Sequence, residues 1–170
     1  VLAYSSRLEV LGRFMWSKRY FKLHSRFRTD IDTQKEVAEH MFMCYSKEDG
    51  TLQYGFDSAR VTSLTLMGGP RPLVFVPYTE TNGRVMLLSE ALGKGIDDAF
   101  ELSTGETWDE EAKKFTFELT IAPNGSDSLH EQPLLLRSGK VHNFTNWIFY
   151  LRRAAGLWKL EPGTAMFHSK

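Results

Sequence analysis

The segment that decides the fold is Gly12-Arg13-Phe14-Met15-Trp16-Ser17-Lys18-Arg19-Tyr20-Phe21-Lys22-Leu23, GRFMWSKRYFKL, where bulky apolar residues alternate with cations. Period-two alternation is the mark of a half-buried strand. Over residues 18–23 it puts Arg19, Phe21 and Leu23 on one face and Lys18, Tyr20 and Lys22 on the other. Residues 8–11 form a short strand before it, and Gly12 supplies the turn between the two. Arg13, Phe14 and Met15 then fall at a loop tip, and Trp16, Phe21 and Leu23 are candidates to anchor a core.

The pattern continues outward from this hairpin. Residues 24–40, HSRFRTDIDTQKEVAEH, are polar and charged and read as an insertion between strands. Asp32 or Thr33 could cap a helical turn there that runs through Val37. Residues 41–46 (MFMCYS), 60–67 (RVTSLTLM), 73–78, 85–88, 99–102, 114–121 (KFTFELTI) and 133–137 read as strands. Thr81-Asn82-Gly83 marks a hairpin between the runs at 73–78 and 85–88, and residues 123–127 read as a loop. The period then changes. In NFTNWIFYLRRAA, residues 143–155, Phe144, Trp147, Ile148, Leu151 and Ala155 share one helical face. Asn143 is a suitable N-cap, Arg152 and Arg153 suit the last turn, and Gly156 can end the helix. The expected architecture is one domain over residues 1–170, mainly β with one helix. About seven strands would form a bent β-sandwich or partly open barrel, capped by a helix at 141–156 and followed by a tail at 157–170.

Composition bounds the function. The 170 residues carry no net formal charge, but the charges are segregated. Seven cations and one acid, Glu9, lie between Arg7 and Arg28, whereas eleven acids and three cations lie between Glu90 and Glu131. Such a dipole orients a protein against a charged surface. No apolar run approaches the roughly 18 residues needed to span a bilayer, and the first residues do not read as a signal peptide. A single cysteine, Cys44, excludes a disulfide framework and suits a strand core. The five histidines form no HxxxH or HExxH pair, GGPRP at 68–72 is a turn, and LGKG at 92–95 is too short for a phosphate-binding loop. No enzyme, cofactor or metal site is therefore expected.

Several motifs together resemble the pleckstrin-homology (PH) family. WSKRYFKL at 16–23 is similar to that family's second strand, MFMCYSKED at 41–49 to its third strand and turn, and ARVTSLTLM at 59–67 to its fourth. The terminal helix, with Trp147 and Leu151, is similar to the helix that caps the family's barrel. The resemblance implies binding of membrane phospholipids or of protein partners. The family's phosphoinositide readers have a Lys near the end of the first strand, then a cation and, two positions later, an Arg in the second. Arg19 matches the last of these, but Ser17 stands where a cation is expected, and Val10 or Leu11 where the Lys would be. The resemblance therefore implies a shallower site for a simpler anionic lipid, phosphatidic acid above all. Arg13, Lys18, Arg19, Lys22, Arg26 and Arg28 would hold the headgroup, and Phe14, Met15 and Trp16 would enter the membrane interface. More narrowly, the chain resembles the acylated PH-domain proteins of apicomplexan parasites. One group of these senses phosphatidic acid on organelles of regulated secretion, and a related group builds the inner membrane complex without binding lipid. A monomer on the cytosolic face of an organelle membrane is expected, with any acyl anchor ahead of Val1. A protein-interaction domain and a phosphoinositide reader are the alternatives. The neutral total charge and the lack of any nucleic-acid motif argue against a nucleic-acid partner.

Overall fold

The computed structural model describes residues 3–79, 82–104, 113–123 and 133–169. Strand β1 (Tyr4–Leu11) pairs antiparallel with β2 (Trp16–Thr29) from Leu11 opposite Trp16 to Tyr4 opposite Leu23. The four-residue loop between them is closed by the Gly12 N–H, which donates to the Met15 carbonyl at 2.8 Å.

Strand β2 does not stop at Leu23. It pairs with β3 (Glu36–Tyr45) from Tyr20 opposite Tyr45 to Thr29 opposite Glu36. The insertion expected at 24–40 is therefore a continuation of both strands into a long hairpin. The helical turn expected there is a tight reversal. Asp30, not Asp32 or Thr33, is the capping residue, its carboxylate accepting from the Asp32 and Thr33 amides at 2.8 and 3.1 Å. Gln34 then adopts a left-handed φ of 59°, which turns the chain back and prevents helix propagation. The polar composition hid the strands because the hairpin has no core to face.

Strand β4 (Leu52–Asp57) pairs with β3 past a bulge at Cys44/Tyr45. Only Phe56 of its residues is buried, so the sequence carried no alternation to announce it. A 3-10 turn (Ser58–Arg60) leads into β5 (Val61–Gly68). Strands β6 (Leu73–Val76) and β7 (Arg84–Leu87) pair as the Asn82-Gly83 signal predicts, although Thr81 lies outside the described residues. A short helix α1 (Leu88–Gly93) follows, then β8 (Phe100–Glu101), β9 (Phe115–Ile121) and β10 (Leu134–Ser138). The loop expected at 123–127 lies, past Pro123, outside the described residues.

Helix α2 (Val141–Ala155) buries Phe144, Trp147, Ile148 and Leu151, the expected face, and ends on Gly156 at φ 70°. The N-cap differs from expectation. Lys140 occupies the N-cap position without a side-chain cap bond. Asn143, one turn inside, instead ties the helix to β1. Its Oδ1 accepts from the Tyr4 and Ser6 hydroxyls, and its Nδ2 donates to the Arg7 carbonyl at 2.9 Å. Arg152 and Arg153 lie in the last turn, as expected, and Arg152 is buried there, 2% exposed. It lies over the Phe75 and Phe167 rings and donates to the Gly83 and Leu157 carbonyls at 2.8 and 3.2 Å. Burial pulls its pKa down to about 10.

Residues 157–169, within the stretch expected as a tail, extend one edge of the sheet. Strand β11 (Lys159–Leu160) pairs with β12 (Met166–His168), and β12 pairs with β5, burying Leu157, Ala165 and Phe167. The described residues thus hold twelve strands in two sheets, in the orders β11-β12-β5-β9-β10-β1-β2-β3-β4 and β7-β6-β8, rather than about seven. The molecule is mainly β with one principal helix. One large apolar cluster joins the strands to α2, and at its centre Trp147 meets Tyr4 and Phe42 edge-on at 4.9 and 5.5 Å. Cys44 is buried in this cluster, and burial raises its thiol pKa.

Candidate functional site

The loop at 12–15 places two large apolar side chains in solvent. Phe14 is 86% exposed and Met15 68%, and the Arg13 guanidinium rests 5.2 Å from the Phe14 ring centre. Neither chain has a core to reach, because the tight loop holds them beyond the last strand pair, Leu11 and Trp16. Trp16 is neither at the tip nor in the core. It is half-buried on the outer face of β2, with the Arg137 guanidinium 4.1 Å from its ring centre.

Of the six cations read from the sequence, Arg13 lies in the loop and strand parity divides the other five, all on β2. Residues two apart share a sheet face. Arg19 therefore shares the inner face with Phe21 and Leu23, opposite Leu8. Its Nε donates to the Gln53 side chain at 2.8 Å and its Nη1 to the Lys18 carbonyl at 2.8 Å. Val10 and Ser17 are paired on that same inner face. Lys18 and Lys22 lie on the outer face, where the Lys22 ammonium sits 5.0 Å from the Tyr45 ring centre. Arg26 and Arg28 are also on the outer face but near the far hairpin tip, roughly 30–40 Å from the loop at about 3.3 Å per residue. Both are bound to Glu39, Arg26 at 2.7 Å. These contacts, the Arg26 hydrogen bond first, hold the Glu39 carboxyl below its usual range. The structure thus gathers Arg13, Lys18, Phe14, Met15 and Trp16 around one loop. It separates Arg19 by sheet face and Arg26 and Arg28 by distance.

The fold also assembles a feature that local sequence patterns do not reveal. Where β1 parts from β10, a groove of about 610 Å³ opens on the outer face. Five cations line it: Arg7, Lys18, Lys114, Arg137 and Lys140. Glu9 and Glu48 are the acids. The register sets Glu9 between Lys18 on β2 and Arg137 on β10. Glu9 is bound by Lys114 and by Arg137, whose Nε lies 3.1 Å away. Burial pushes the Glu9 carboxyl up, but the hydrogen bonds from Lys114 and Arg137 outweigh it and hold the group below its usual range. Arg7, Lys18 and Lys140 keep exposed side chains and make no ion pair with another described residue. Sequence reasoning missed this set because its members come from β1, β2, the approach to β9, β10 and the start of α2. Only Arg7 and Lys18 belong to the basic run visible in the sequence.

Among the described residues no three His, Cys, Asp or Glu gather as a metal site, and no helix is long and apolar enough to cross a membrane. Compared with known proteins, the chain matches no family model, no curated protein and no solved structure, so its site is read from its own residues.

Proposed function

We propose that this chain is a PH-like module that docks on membranes containing an anionic phospholipid, phosphatidic acid being the best candidate. The observation that carries the reading is the β1–β2 loop, with Phe14 and Met15 exposed at its tip and Arg13 and Lys18 beside them. Apolar side chains at a rigid tip gain by entering the acyl boundary, while flanking cations draw the loop to anionic headgroups. Trp16 sits at the edge of the same patch, half apolar and half wet, the character of an interfacial residue.

The finer fold reading belongs to the same proposal. On this reading strands β1–β5, β9 and β10, followed by α2, correspond to the seven strands and capping helix of a PH-like frame. Strands β6–β8 with α1, and β11–β12, are then additions to that frame. The inner face opposite Leu8 and Val10 offers Ser17 and Arg19, and Arg19 is already engaged by Gln53. One committed cation supports a shallow outer site over a deep inositol-phosphate pocket.

The test is vesicle co-sedimentation at two salt concentrations with phosphatidic acid, phosphatidylserine, phosphoinositides and neutral lipid. Pelleting strongest with phosphatidic acid and weakened by salt is expected. No pelleting with any anionic vesicle refutes the reading. It would favour a protein-interaction domain, for which the hairpin is the supporting observation. Its tip carries Phe27 at 65% and Ile31 at 86% exposure, at the opposite end of β2 from the loop.

A further inference from the structure

We propose that the groove between β1, β10 and the start of α2 is a binding site for a phosphate monoester. This deepens the membrane reading by naming a headgroup site, but the chemistry is the same for a lipid phosphate and a soluble phosphate ester. The lining carries an excess of three positive charges in a concave surface. A monoester bears up to two negative charges near neutral pH, whereas a diester bears one, so the groove discriminates in favour of the monoester by charge.

The donors divide into two sets. Lys114 and Arg137 are committed to Glu9 and form the floor. Glu9 itself repels an anion, but two cations neutralise it. Arg7, Lys18 and Lys140 stand around the rim, and none of them forms an ion pair with a described carboxylate, Glu48 of the lining included. Although Lys18 is the cross-strand partner of Glu9, it forms no ion pair with that residue. An arginine supplies two parallel donors and each lysine a point charge, the donor types that hold a phosphate. The start of α2 adds to them. Gly139, Lys140 and Asn143 line the groove, and no side chain caps the first turn of this helix. Its free N–H groups and dipole favour an anion at that end. The groove shares Lys18 with the loop patch, and Trp16, two residues toward the tip, stacks on Arg137 in its floor. The loop residues 12–15 do not line the groove, and Lys18 is the residue it has in common with the loop patch.

The experiment is amide chemical-shift mapping of the full chain titrated with inorganic phosphate and with glycerol 3-phosphate, against chloride at matched ionic strength. Saturable shifts at Arg7, Lys18, Gly139 and Lys140 are expected. The double variant Lys18→Ala/Lys140→Ala should lose at least about tenfold in affinity, the worth of one charge-assisted hydrogen bond. Arg26→Ala/Arg28→Ala should bind like the parent. Absent shifts, shifts centred on Arg19 and Gln53, or an unaffected Lys18→Ala/Lys140→Ala variant would overturn the site. Vesicles of phosphatidic acid and of phosphatidylserine separate the sources. Loss in the double variant specific to phosphatidic acid identifies a lipid headgroup. Saturable phosphate shifts without any vesicle binding identify a soluble ester, refuting the membrane reading while sustaining the site. Vesicle binding without shifts in the groove refutes the site and leaves the membrane reading intact.

Discussion

Replacing Phe14 and Met15 together by serine probes the membrane reading most directly. The two side chains are 86% and 68% exposed, so most of their apolar surface is available to a membrane. Complete burial of a Phe or Met side chain contributes about 1.5–3 kcal/mol. Scaled to the exposed fractions, the pair contributes about 2.3–4.6 kcal/mol when inserted. That is a loss of about 50-fold to about 2,000-fold in partition to the membrane. The fold should not respond. The Phe14 ring meets the Arg13 guanidinium, a surface contact, and such surface changes usually stay within about 0.5 kcal/mol. The assay is flotation over a range of phosphatidic acid vesicle concentrations, with thermal denaturation of the same samples. Because apolar burial is not screened by salt, the parent should keep residual binding at high salt and the variant should lose it. A partition that falls less than about threefold, with an unchanged melting temperature, would refute insertion of this loop, because the area at stake predicts a larger effect.

Three other outcomes follow from the packing. Trp147→Ala should destabilise the protein by about 3–5 kcal/mol, since Trp147 is fully buried and also donates to Ser6 at 2.7 Å; urea denaturation measures it. Glu9→Gln should cost about 1.5–3 kcal/mol by leaving the Arg137 side chain, 7% exposed, without its carboxylate. The parent should also lose this contribution in acid. The folded-state Glu9 pKa lies below the ordinary 4.5, so the stabilisation is complete above that value and disappears as pH falls through the folded pKa. Denaturation should therefore separate parent and variant at neutral pH, and the two should converge as the pH is lowered through the folded-state pKa. Phe27→Ser/Ile31→Ser should change stability by no more than about 0.5 kcal/mol and leave vesicle binding intact, because both residues lie at the other end of β2 from the loop. Weakened vesicle binding in that variant would place the membrane contact on the wrong end.

The sequence by itself determined the elements whose pattern is local. Alternation across residues 18–23 fixed the faces of β2, and the 3.6-residue spacing of Phe144, Trp147, Ile148 and Leu151 fixed the buried stripe of α2. Asn82-Gly83 marked the β6–β7 turn, and Gly156 the helix end. Elements without a core to face left no such trace. The outer half of the 24–40 hairpin is polar because it projects beyond the sheet. Strand β4 buries only Phe56, and β12 is three residues long, held by β5 rather than by its own propensity. The candidate site divides in the same way. Exposure of Phe14 and Met15 followed from a glycine turn beside a strand. The tertiary structure alone decided that Arg7, Lys18, Lys114, Arg137 and Lys140 share one groove, while Arg26 and Arg28 stand apart from it. Side-chain period is a property of one segment, whereas the pairing of Glu9 with Arg137 across β1 and β10 joins residues 128 positions apart, and no local pattern encodes that register.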